Sequence, residues 1–512
     1  MAWLTLLLVT PAVLIAALAL STGLSLLRNY LAARTIGVPI RFIPISPLNP
    51  FWVLLDRNVL SIFRRLPYGD NSFTRYNWRG WELEDRYRSH QEMGDMWVLV
   101  TPLKNWVYVN DPEALMSIFK RGAEFPRPVF VTETLTLAND MLRYWLSKTS
   151  LPTAADDLRT LSLHVLSRAG FGKSFKFQGY DERQGAVSPS ANYKESLQTI
   201  LENCVLILAF GTKFIAHPWL PRKFRRVHEA WVSFHAYMTN IYEEEKRALA
   251  AGKTTDHNLM TSLVRASQDE QKTSGGLTES EIYGNMFAFN FAGHDTTANT
   301  FTFAIYYLAA HPEVQNWLSE EIRAVFGDRE PHTWDYRADF PRLKRCLSIL
   351  FETMRLYTPV PVIKWTANES RSVTVGGKSY VLPPHSMIAP SYGSVQTDPR
   401  FWGSDSLAWK PSRWIKSGKP GDEELSLPVR GAFIGWSEGT RDCPGRKFSQ
   451  VEFTAAMAML FLKSRVNPVI QNGESMEKAR SRIMDLIAKD SGHVLLVQIL
   501  HPERAPLAWT SQ

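Results

Sequence analysis

Apolar residues recur every three to four positions along most of this 512-residue chain, which is the period of an amphipathic α-helix. Two shorter stretches have the β-branched and apolar composition of strands instead. These patterns predict a mainly α fold with small β-sheets. The predicted helices are 194–208, 227–249, 277–310, 312–326, 343–357 and 446–460, and the predicted strands are 373–381 and 494–499.

The longest predicted helix, Leu277–Ala310, has signals at both ends. Thr278 and Glu281 have the spacing of a capping box, and His311-Pro312 ends the apolar run. About 30 residues at a rise of about 1.5 Å each give a helix of roughly 45 Å. Such a helix is long enough to cross a large domain.

A polar segment interrupts the middle of this helix. Gly293 costs a helix about 1 kcal/mol relative to alanine, so its presence points to a local role. Thr296 follows Ala292 by one helical turn, and its hydroxyl can bond to the carbonyl of Ala292 and loosen the helix there. The segment therefore predicts a place where a small ligand or water enters the helix.

The N-terminal run, residues 2–27, contains no charged side chain and is long enough to cross a hydrocarbon core of about 30 Å. Arg28 and Arg34 follow it, so the positive-inside rule predicts a membrane anchor at 1–28 with a cytosolic body. The alternative is a signal peptide cleaved near Ala17-Leu18-Ala19. Against it, the run lacks a positive first region and is longer than a signal peptide needs.

Composition after the anchor predicts a proline-rich connector at 29–50 and one large folded domain at 51–512. Three cysteines provide no disulfide framework, which agrees with a reducing compartment. The net charge of +8 is spread along the chain without a nucleic-acid-binding stripe. We therefore expect a membrane surface as a partner, and no nucleic acid. The apolar run 214–221, followed by basic residues, predicts a second membrane contact. A solvated basic helix start is the alternative interpretation.

One cysteine near the C-terminus, Cys443, lies in the segment Trp436–Gly445. Cysteine binds a metal as thiolate, and a helix N-terminus lowers its pKa below the usual value of roughly 8.5. Pro444 suits the first position of a helix, so Cys443 is predicted to stand at a helix N-terminus. Gly439 and Gly445 allow a tight turn and the close approach of a flat ligand. A buried structural cysteine is the alternative interpretation.

This segment resembles the haem-binding loop of the cytochrome P450 superfamily, F-x-x-G-x-R-x-C-x-G, with Trp436 in place of the first Phe. The resemblance implies that Cys443 is the axial thiolate ligand of the iron of haem b. It also implies that Arg441 pairs with a haem propionate. The other residues that it places against the haem are Trp436, Gly439, Gly445, Ala292 and Gly293.

The polar segment of the long helix resembles the oxygen-binding helix of the same family. In the family, the acid and the alcohol at the positions of Asp295 and Thr296 deliver protons during dioxygen activation. Relatives that rearrange peroxides often lack the alcohol, so Thr296 favours oxygen activation. Simple packing of a threonine-rich helix is the alternative interpretation.

A second family feature combines Glu352, Arg355 and Arg413. Glu352 and Arg355 lie on one face of a predicted helix, and Arg413 follows in Trp409–Trp414. Together they resemble the Glu-Arg-Arg network that braces the haem pocket, which implies a structural role. An E-x-x-R pair by itself is more often a surface ion pair worth under about 1 kcal/mol.

One family feature is missing. Between segments matching Phe125–Pro128 and Arg168–Gly172, family members carry a helix with W-x-x-x-R, whose Trp and Arg hold a haem propionate. Here Trp145 is followed one turn later by Thr149, and the interval is shorter than in relatives. An alternative function is therefore a haem-binding protein without catalytic activity.

A remote alternative is a serine hydrolase. Ser437 lies in a G-x-S-x-G pattern, and Asp485 and His493 follow in the chain order of an α/β-hydrolase. No alternation of strands and helices around Ser437 indicates a parallel sheet, which argues against it.

The leading expectation is a haem-thiolate monooxygenase that inserts one oxygen atom from dioxygen into a lipophilic small molecule. The chain has no dinucleotide-binding G-x-G-x-x-G, so its electrons are expected from an NADPH-dependent flavoprotein reductase. The resemblance also implies the endoplasmic reticulum membrane, a single membrane pass and a catalytic domain that faces the cytosol. The family's substrate-pocket positions correspond to Phe287, Phe289, Val360, Val362 and Ile363.

Overall fold

A computed structural model describes residues 19–46, 49–64, 71–78, 81–111, 129–180, 189–251, 259–261, 263–264, 278–360, 363–439 and 441–512. Most of the predicted anchor at 1–28 therefore lies outside the described residues. Within the described ranges, no helix has both the length and the apolar character that a bilayer crossing requires.

The helices are numbered in chain order. Their bounds are α1 (residues 19–34), α2 (Pro50–Phe63), α3 (Ser72–Tyr76), α4 (Trp81–Asp85), α5 (Arg88–Met93), α6 (Val129–Leu146), α7 (Ala154–Phe171), α8 (Pro189–Glu202), α9 (Cys204–Ile215), α10 (Arg222–Ala250), α11 (Glu279–Gly293), α12 (Asp295–Ala310), α13 (Pro312–Phe326), α14 (Lys344–Leu356), α15 (Tyr392–Val395), α16 (Pro399–Trp402), α17 (Arg446–Phe461) and α18 (Met476–Lys489).

The strands are short, as the sequence predicts. Their bounds are β1 (Ile40–Phe42), β2 (Met96–Val100), β3 (Asn105–Val109), β4 (Lys364–Trp365), β5 (Arg371–Val375), β6 (Lys378–Leu382), β7 (Met387–Pro390), β8 (Ile415–Ser417), β9 (Glu424–Leu425), β10 (Ser464–Pro468), β11 (Ser491–His493), β12 (Val497–Ile499) and β13 (Leu507–Ser511).

The chain divides into two compact units, each built from separated stretches. The first comprises residues 1–123, 361–408 and 427–443, and the second comprises 124–360, 409–426 and 444–512. The predicted boundaries of the connector at 29–50 and the catalytic domain at 51–512 stay predictions.

The first unit is organised around a five-stranded sheet with strand order β1-β2-β3-β7-β4. Strands β2 and β3 are antiparallel, with Val98 opposite Val107, and β3 runs parallel to β7. Both central strands are buried along their whole length. One face of the sheet packs on aliphatic side chains, and the other packs on a cluster rich in tryptophan and tyrosine. Strand β4 lies at one edge of this sheet. The segment 427–443, which ends at Cys443, belongs to the same unit.

The second unit is helical and has α12 at its centre. Every residue of α12 from Thr297 to Ala310 is buried. Helices α7, α14 and α18 pack on it, and α10, α11 and α8 form a separate apolar cluster. The central position of α12 follows from its composition, because a helix that is apolar around most of its circumference must be covered on all sides.

Helix predictions are confirmed most closely where sequence signals are local. α13 has the predicted bounds of 312–326, and α14 and α17 match within a residue at each end. The capping box of α11 is confirmed in both directions, because Thr278 Oγ1 accepts from the Glu281 N–H at 3.2 Å and Glu281 Oε2 accepts from the Thr278 N–H at 2.8 Å.

Three predicted elements are each divided in two. The helix predicted at 277–310 breaks at His294, whose φ is −107°, and the helix predicted at 194–208 breaks at Asn203, whose φ is −117°. The strand predicted at 373–381 is a hairpin, β5–β6, because Gly376 and Gly377 adopt φ of 56° and 76° and reverse the chain. The strand predicted at 494–499 covers only β12, which pairs with β11.

Candidate functional site

The loop before Cys443 is closed by its own backbone. The Cys443 N–H donates to the Trp436 carbonyl at 2.9 Å, and the Asp442 N–H donates to the Gly439 carbonyl at 3.1 Å. Ser437 and Gly439 have φ of 63° and 87°. These conformations turn the chain sharply, and they leave the Cys443 side chain exposed. An exposed thiol on a backbone-bonded loop is accessible to a ligand.

The aromatic residue at the start of this loop is buried. Trp436 is 8% exposed, and its ring lies nearly perpendicular to that of Phe433, with centroids 6.1 Å apart. Just upstream, the Gln396 side chain accepts from the Ile434 N–H at 2.9 Å. Trp436 and Gln396 thus support the loop from the interior of the first unit.

The helix after the loop begins at Arg446, where the apolar pattern predicts it, and not at Pro444. α17 starts at Arg446 with Gly445 as its N-cap residue, so Pro444 precedes the helix and does not open it. The Gly445 carbonyl accepts from the Ser449 N–H at 2.8 Å in the first turn. Cys443 therefore comes three residues before the first helical position in the sequence, and a helix dipole acts only over about the first turn. The prediction that Cys443 stands directly at a helix N-terminus is wrong by two residues.

Arg441 has a basic neighbour that the sequence motif does not reveal. The pKa of Lys364 on β4 is lowered, first by burial and second by the positive charge of Arg441, while Asp442 acts in the opposite direction. Two cations held near each other favour an anion between or beside them. No motif marks Lys364, because only the pairing of β4 with β7 places that strand in the sheet of the first unit.

The polar segment of the long helix has the local hydrogen bond that the sequence predicts. Thr296 Oγ1 donates to the Ala292 carbonyl at 3.0 Å. Close packing also explains the glycine at position 293. A Cβ at this position would lie 3.0 Å from Cδ2 of Leu166 on α7. The glycine thus allows α7 and α11 to approach closely.

Asp295 is not an isolated acid. Its Oδ1 lies 3.5 Å from Nε of Arg159 and 3.5 Å from Nε2 of His294. The Asp295 side chain is 19% exposed, whereas that of His294 is 6% exposed. Sequence reasoning found Asp295 and Thr296 but missed Arg159 and His294. His294 is adjacent in the motif and could have been found, but Arg159 lies on another helix.

The predicted Glu-Arg-Arg network is present in the second unit. Glu352 and Arg355 are both fully buried and form a bidentate pair at 2.8 and 2.9 Å. Arg413 Nε donates to Glu352 Oε1 at 2.9 Å, the Lys410 N–H donates to the same oxygen at 2.8 Å, and Trp414 Nε1 donates to Oε2 at 2.9 Å. Because the side chains of Glu352 and Arg355 are fully buried, the network is not a surface ion pair.

Trp145 does not replace the missing W-x-x-x-R tryptophan. Its indole is fully buried, its Nε1 donates to Asp157 Oδ2 at 2.9 Å, and its ring lies 5.1 Å from that of Trp509. It is a core residue of the second unit. Phe125–Pro128, at the edge of the shortened interval, lies outside the described residues.

The structure also shows the environments of Ser437 and Phe287, two residues that the sequence analysis considered. Ser437 Oγ is buried and has no hydrogen-bond partner within the described part of the chain, so no general base activates it as a hydrolase requires. Phe287, expected at the substrate pocket, packs against Trp231 and Phe234 with ring centroids 5.8 and 6.0 Å apart. Val362 lies outside the described residues.

Comparison with known families decides the assignment. The family model described as "Cytochrome P450" matches residues 130–489. The chain belongs to the cytochrome P450 family. A P450 monooxygenase of the phomenoic acid biosynthesis cluster of Leptosphaeria maculans is 27% identical, over 88% of this chain and 91% of that protein. A P450 monooxygenase of Penicillium roqueforti is 25% identical, over 89% and 90%.

The P450 fold itself is supported by a solved structure. The crystal structure of the cytochrome P450DA heme domain aligns with a TM-score of 0.62 at 16% identity, and the alignment covers 93% of this chain and 98% of that one. At this identity the likeness shows the fold alone. The mainly helical P450 fold with small sheets is therefore confirmed, and the chain is an oxidoreductase of the P450 monooxygenase type.

The cytochrome P450 family implies a haem whose iron takes a cysteine thiolate, and the residues present fit that group. The Cys443 thiol is exposed, so it is accessible to a metal ion. The loop bends through Gly439, whose φ of 87° leaves no side chain in the way of a flat macrocycle. Arg441 and Lys364 supply paired positive charge for a carboxylate.

Proposed function

We propose that this P450 is a haem-thiolate monooxygenase that inserts one atom of dioxygen into a lipophilic small molecule. The balanced reaction is RH + O2 + NADPH + H+ → ROH + H2O + NADP+. The observation that carries the proposal is the exposed thiol of Cys443 on a backbone-closed loop. The positive charge of Arg441, two residues before Cys443, also helps to lower the pKa of Lys364 in the same unit.

Each residue has a definite task in this proposal. Cys443 Sγ binds the iron, and Arg441 and Lys364 bind the propionates. When bound, the haem supplies the redox chemistry that activates dioxygen. Asp295 and Thr296 hold and transfer the protons that the reaction consumes, because a carboxylate and a hydroxyl that already accept and donate hydrogen bonds can exchange protons with water.

The electron source that we propose is a separate NADPH-dependent flavoprotein reductase. The chain carries no dinucleotide-binding glycine motif, so it needs a partner to oxidise NADPH. Its net charge of +8 favours association with an acidic protein surface, because complementary charge raises the rate of encounter.

We also propose a single-pass location in the endoplasmic reticulum membrane with the catalytic domain in the cytosol. The uncharged run 2–27 followed by Arg28 supports the anchor and its orientation. Phe214, in the last turn of α9, is 38% exposed, and Trp219, between α9 and α10, is 69% exposed. The basic residues at the start of α10 follow them directly, as is typical of a membrane interface.

A second candidate is a haem-binding P450 that lacks activity. Its support is the absence of W-x-x-x-R from the sequence between Pro128 and Arg168, together with the burial of Trp145 against Asp157. In that case the haem would be held by the thiolate and by Arg441 and Lys364, with fewer donors to its propionates.

The carbon monoxide difference spectrum of the reduced protein tests the thiolate ligand. We expect the strongly red-shifted band of a thiolate-ligated haem for the wild-type chain and its loss in Cys443→Ser. The matched control is Cys346→Ala, since Cys346 is fully buried on α14 and should leave the band unchanged. A wild-type chain without the band, or a Cys443→Ser variant that retains it, would contradict the proposal. A normal band without product formation in any reductase-supported assay would favour the inactive candidate.

A further inference from the structure

One guanidinium in the second unit connects three elements. Arg159 on α7 has a side chain that is 20% exposed. Its Nη1 lies 3.1 Å from Asp156 Oδ1 on the same helix, and its Nε lies 3.5 Å from Asp295 Oδ1 on α12. Its Nη2 donates to Asn299 Oδ1 at 3.4 Å and to Gln498 Oε1 on β12 at 3.2 Å. The guanidinium therefore joins the proposed acid to the hairpin β11–β12.

His294 lies near the same carboxylate oxygen as Arg159. The His294 Nδ1 lies 2.8 Å from the Asn290 carbonyl, which can only accept, so Nδ1 carries a proton and donates. Nε2 then faces Asp295 Oδ1 at 3.5 Å. Both contacts of Asp295 are longer than the roughly 2.7–2.9 Å of a tight charge-assisted bond. The carboxylate is thus oriented by its neighbours but is not locked in place.

Asp295 and Arg159 lie on the wall of a cavity of about 270 Å³, which is also lined by Asp156, Gln198, Glu503 and residues of the β11–β12 hairpin. A cavity with this volume and these polar groups has room for several waters. Water in the cavity can therefore reach the carboxylate of Asp295.

We propose that Arg159 is a positioning residue for Asp295, an inference that rests on the proposed monooxygenase function. The guanidinium holds the carboxylate at the cavity wall, where it takes up protons from water, and the bond to Gln498 fixes the guanidinium itself. Without Arg159 the carboxylate turns freely, and proton delivery no longer keeps pace with electron delivery. Dioxygen then leaves as peroxide, by O2 + NADPH + H+ → H2O2 + NADP+.

The test compares Arg159→Met with Arg159→Lys in the haem-loaded full chain. Methionine keeps the length of the side chain and removes its charge, whereas lysine restores the charge without the planar fork. With reductase, NADPH and dodecanoic acid as a lipophilic probe, we expect Arg159→Met to release about tenfold more peroxide per NADPH than the wild type. Arg159→Lys should recover part of the coupling to product. The matched control is Arg168→Met, because Arg168 on the same helix bonds to the Gly172 carbonyl at 3.0 Å.

A second measurement does not depend on turnover. In a double-mutant cycle of thermal unfolding with Asp295→Asn, the losses from Arg159→Met and Asp295→Asn should be less than additive, because the two side chains interact. Additive losses would overturn the proposal, and so would an Arg159→Met variant that keeps wild-type coupling. If the wild type forms no product from dodecanoic acid, the unfolding cycle decides. A missing carbon monoxide band in the wild type would instead mark failure of the proposed function, and Arg159→Met is expected to keep the wild-type band.

Discussion

Two buried glutamates of the second unit differ in their partners. Glu352 accepts hydrogen bonds from Arg355, Arg413 and the neighbouring backbone, with its carboxylate fully buried. Glu452 on α17 is also fully buried, but neither of its oxygens has a hydrogen-bond partner among the described residues. An ionised carboxylate is stable in a protein interior only when donors replace its water. Glu352 is therefore a charged structural residue, and Glu452 is held in its neutral form.

Removing the network carboxylate should destabilise the protein strongly. Glu352→Ala leaves the fully buried guanidinium of Arg355 without a counter-charge, at a cost of about 3–5 kcal/mol. The matched control is Glu369→Ala, because Glu369 pairs with Arg371 at 2.7 Å while both side chains are more than 60% exposed. That exposed pair should be worth under about 1 kcal/mol. Urea unfolding of the haem-loaded proteins measures both losses, and equal losses would refute the structural role of Glu352.

Glu452 should make stability depend on pH. Burial raises its pKa from 4.5 to about 8, and the nearby Ser162 hydroxyl lowers it only in part. Between these two values the unfolded carboxyl is ionised while the folded one keeps its proton, so stability falls as the pH rises through this window. Each pKa unit corresponds to about 1.4 kcal/mol. Glu452→Gln should therefore be less sensitive to pH, and more stable than the wild type at pH 8 by a few kcal/mol.

Unfolding measured at several pH values between 5 and 8 checks this prediction. Exposed Glu330 provides the control, since Glu330→Gln should follow the wild-type curve. Some dependence of stability on pH should remain in every variant, because burial also raises the pKa of Glu321 to about 7 and that of Glu82 to about 7. Identical curves for wild type and Glu452→Gln would mean that Glu452 is ionised in the folded protein.

At the scale of elements, the long helix is divided where its chemistry lies. α11 and α12 meet at His294, and the polar residues of the segment follow directly. The sequence shows the polar interruption but predicts one helix, because apolar spacing continues across the break. The Thr296–Ala292 bond alone does not reveal whether the helix is only loosened or is broken, because this also depends on the neighbouring helices. Here α7 packs against both α11 and α12.

Two glycines of α11 should respond oppositely to alanine. At Gly284 a Cβ would meet nothing within 4 Å, so Gly284→Ala should stabilise the protein by about 0.5–1 kcal/mol through helix propensity alone. At Gly293 a Cβ would lie 3.0 Å from Leu166 Cδ2, so overpacking of about 1–3 kcal/mol should outweigh that gain. Thermal unfolding distinguishes the two substitutions. Combining Gly293→Ala with Leu166→Ala should remove the clash, and a Gly293→Ala variant as stable as Gly284→Ala would contradict the close approach of α7.

At the scale of the whole molecule, both compact units are assembled from segments far apart in the sequence. The first combines the N-terminal region with 361–408 and 427–443, and the second takes the remainder. Family membership follows from the match over 130–489, which includes parts of both units. Neither unit is a continuous stretch of the sequence, so the two units could not be delimited from local sequence patterns.

The proposed membrane association can be separated into two contributions. A chain lacking residues 2–28 should lose most of its sedimentation with phosphatidylcholine–phosphatidylserine vesicles and retain a weaker, salt-sensitive fraction through the segment around Trp219 and Phe214. Replacing both aromatic residues by serine in the shortened chain should abolish that fraction, because their apolar area provides the insertion. The control is Trp365→Ser, at a residue that is 50% exposed in the first unit. If removal of residues 2–28 leaves vesicle binding unchanged, the anchor prediction is wrong.

Features carried by neighbouring residues were determined by the sequence alone. The capping box of α11, the Thr296–Ala292 bond and the Glu352–Arg355 pair all join residues within one helical turn. The helical period itself places such residues together. The Cys443 segment likewise identifies its family by local spacing, since its glycines and cysteine act within one loop.

Only the tertiary structure decided the contacts between distant segments. Arg159 reaches Asp295 and Gln498, Lys364 lies beside Arg441, and Glu452 is enclosed without a donor. No motif contains Arg159, Gln498, Lys364 or Glu452, and their residue types are common on protein surfaces. Their environment depends on which helices and strands pack together, and that choice is made by the summed burial of many side chains. For this reason a thiolate ligand can be proposed from its loop alone, whereas the partners of Asp295 could not be identified from the sequence.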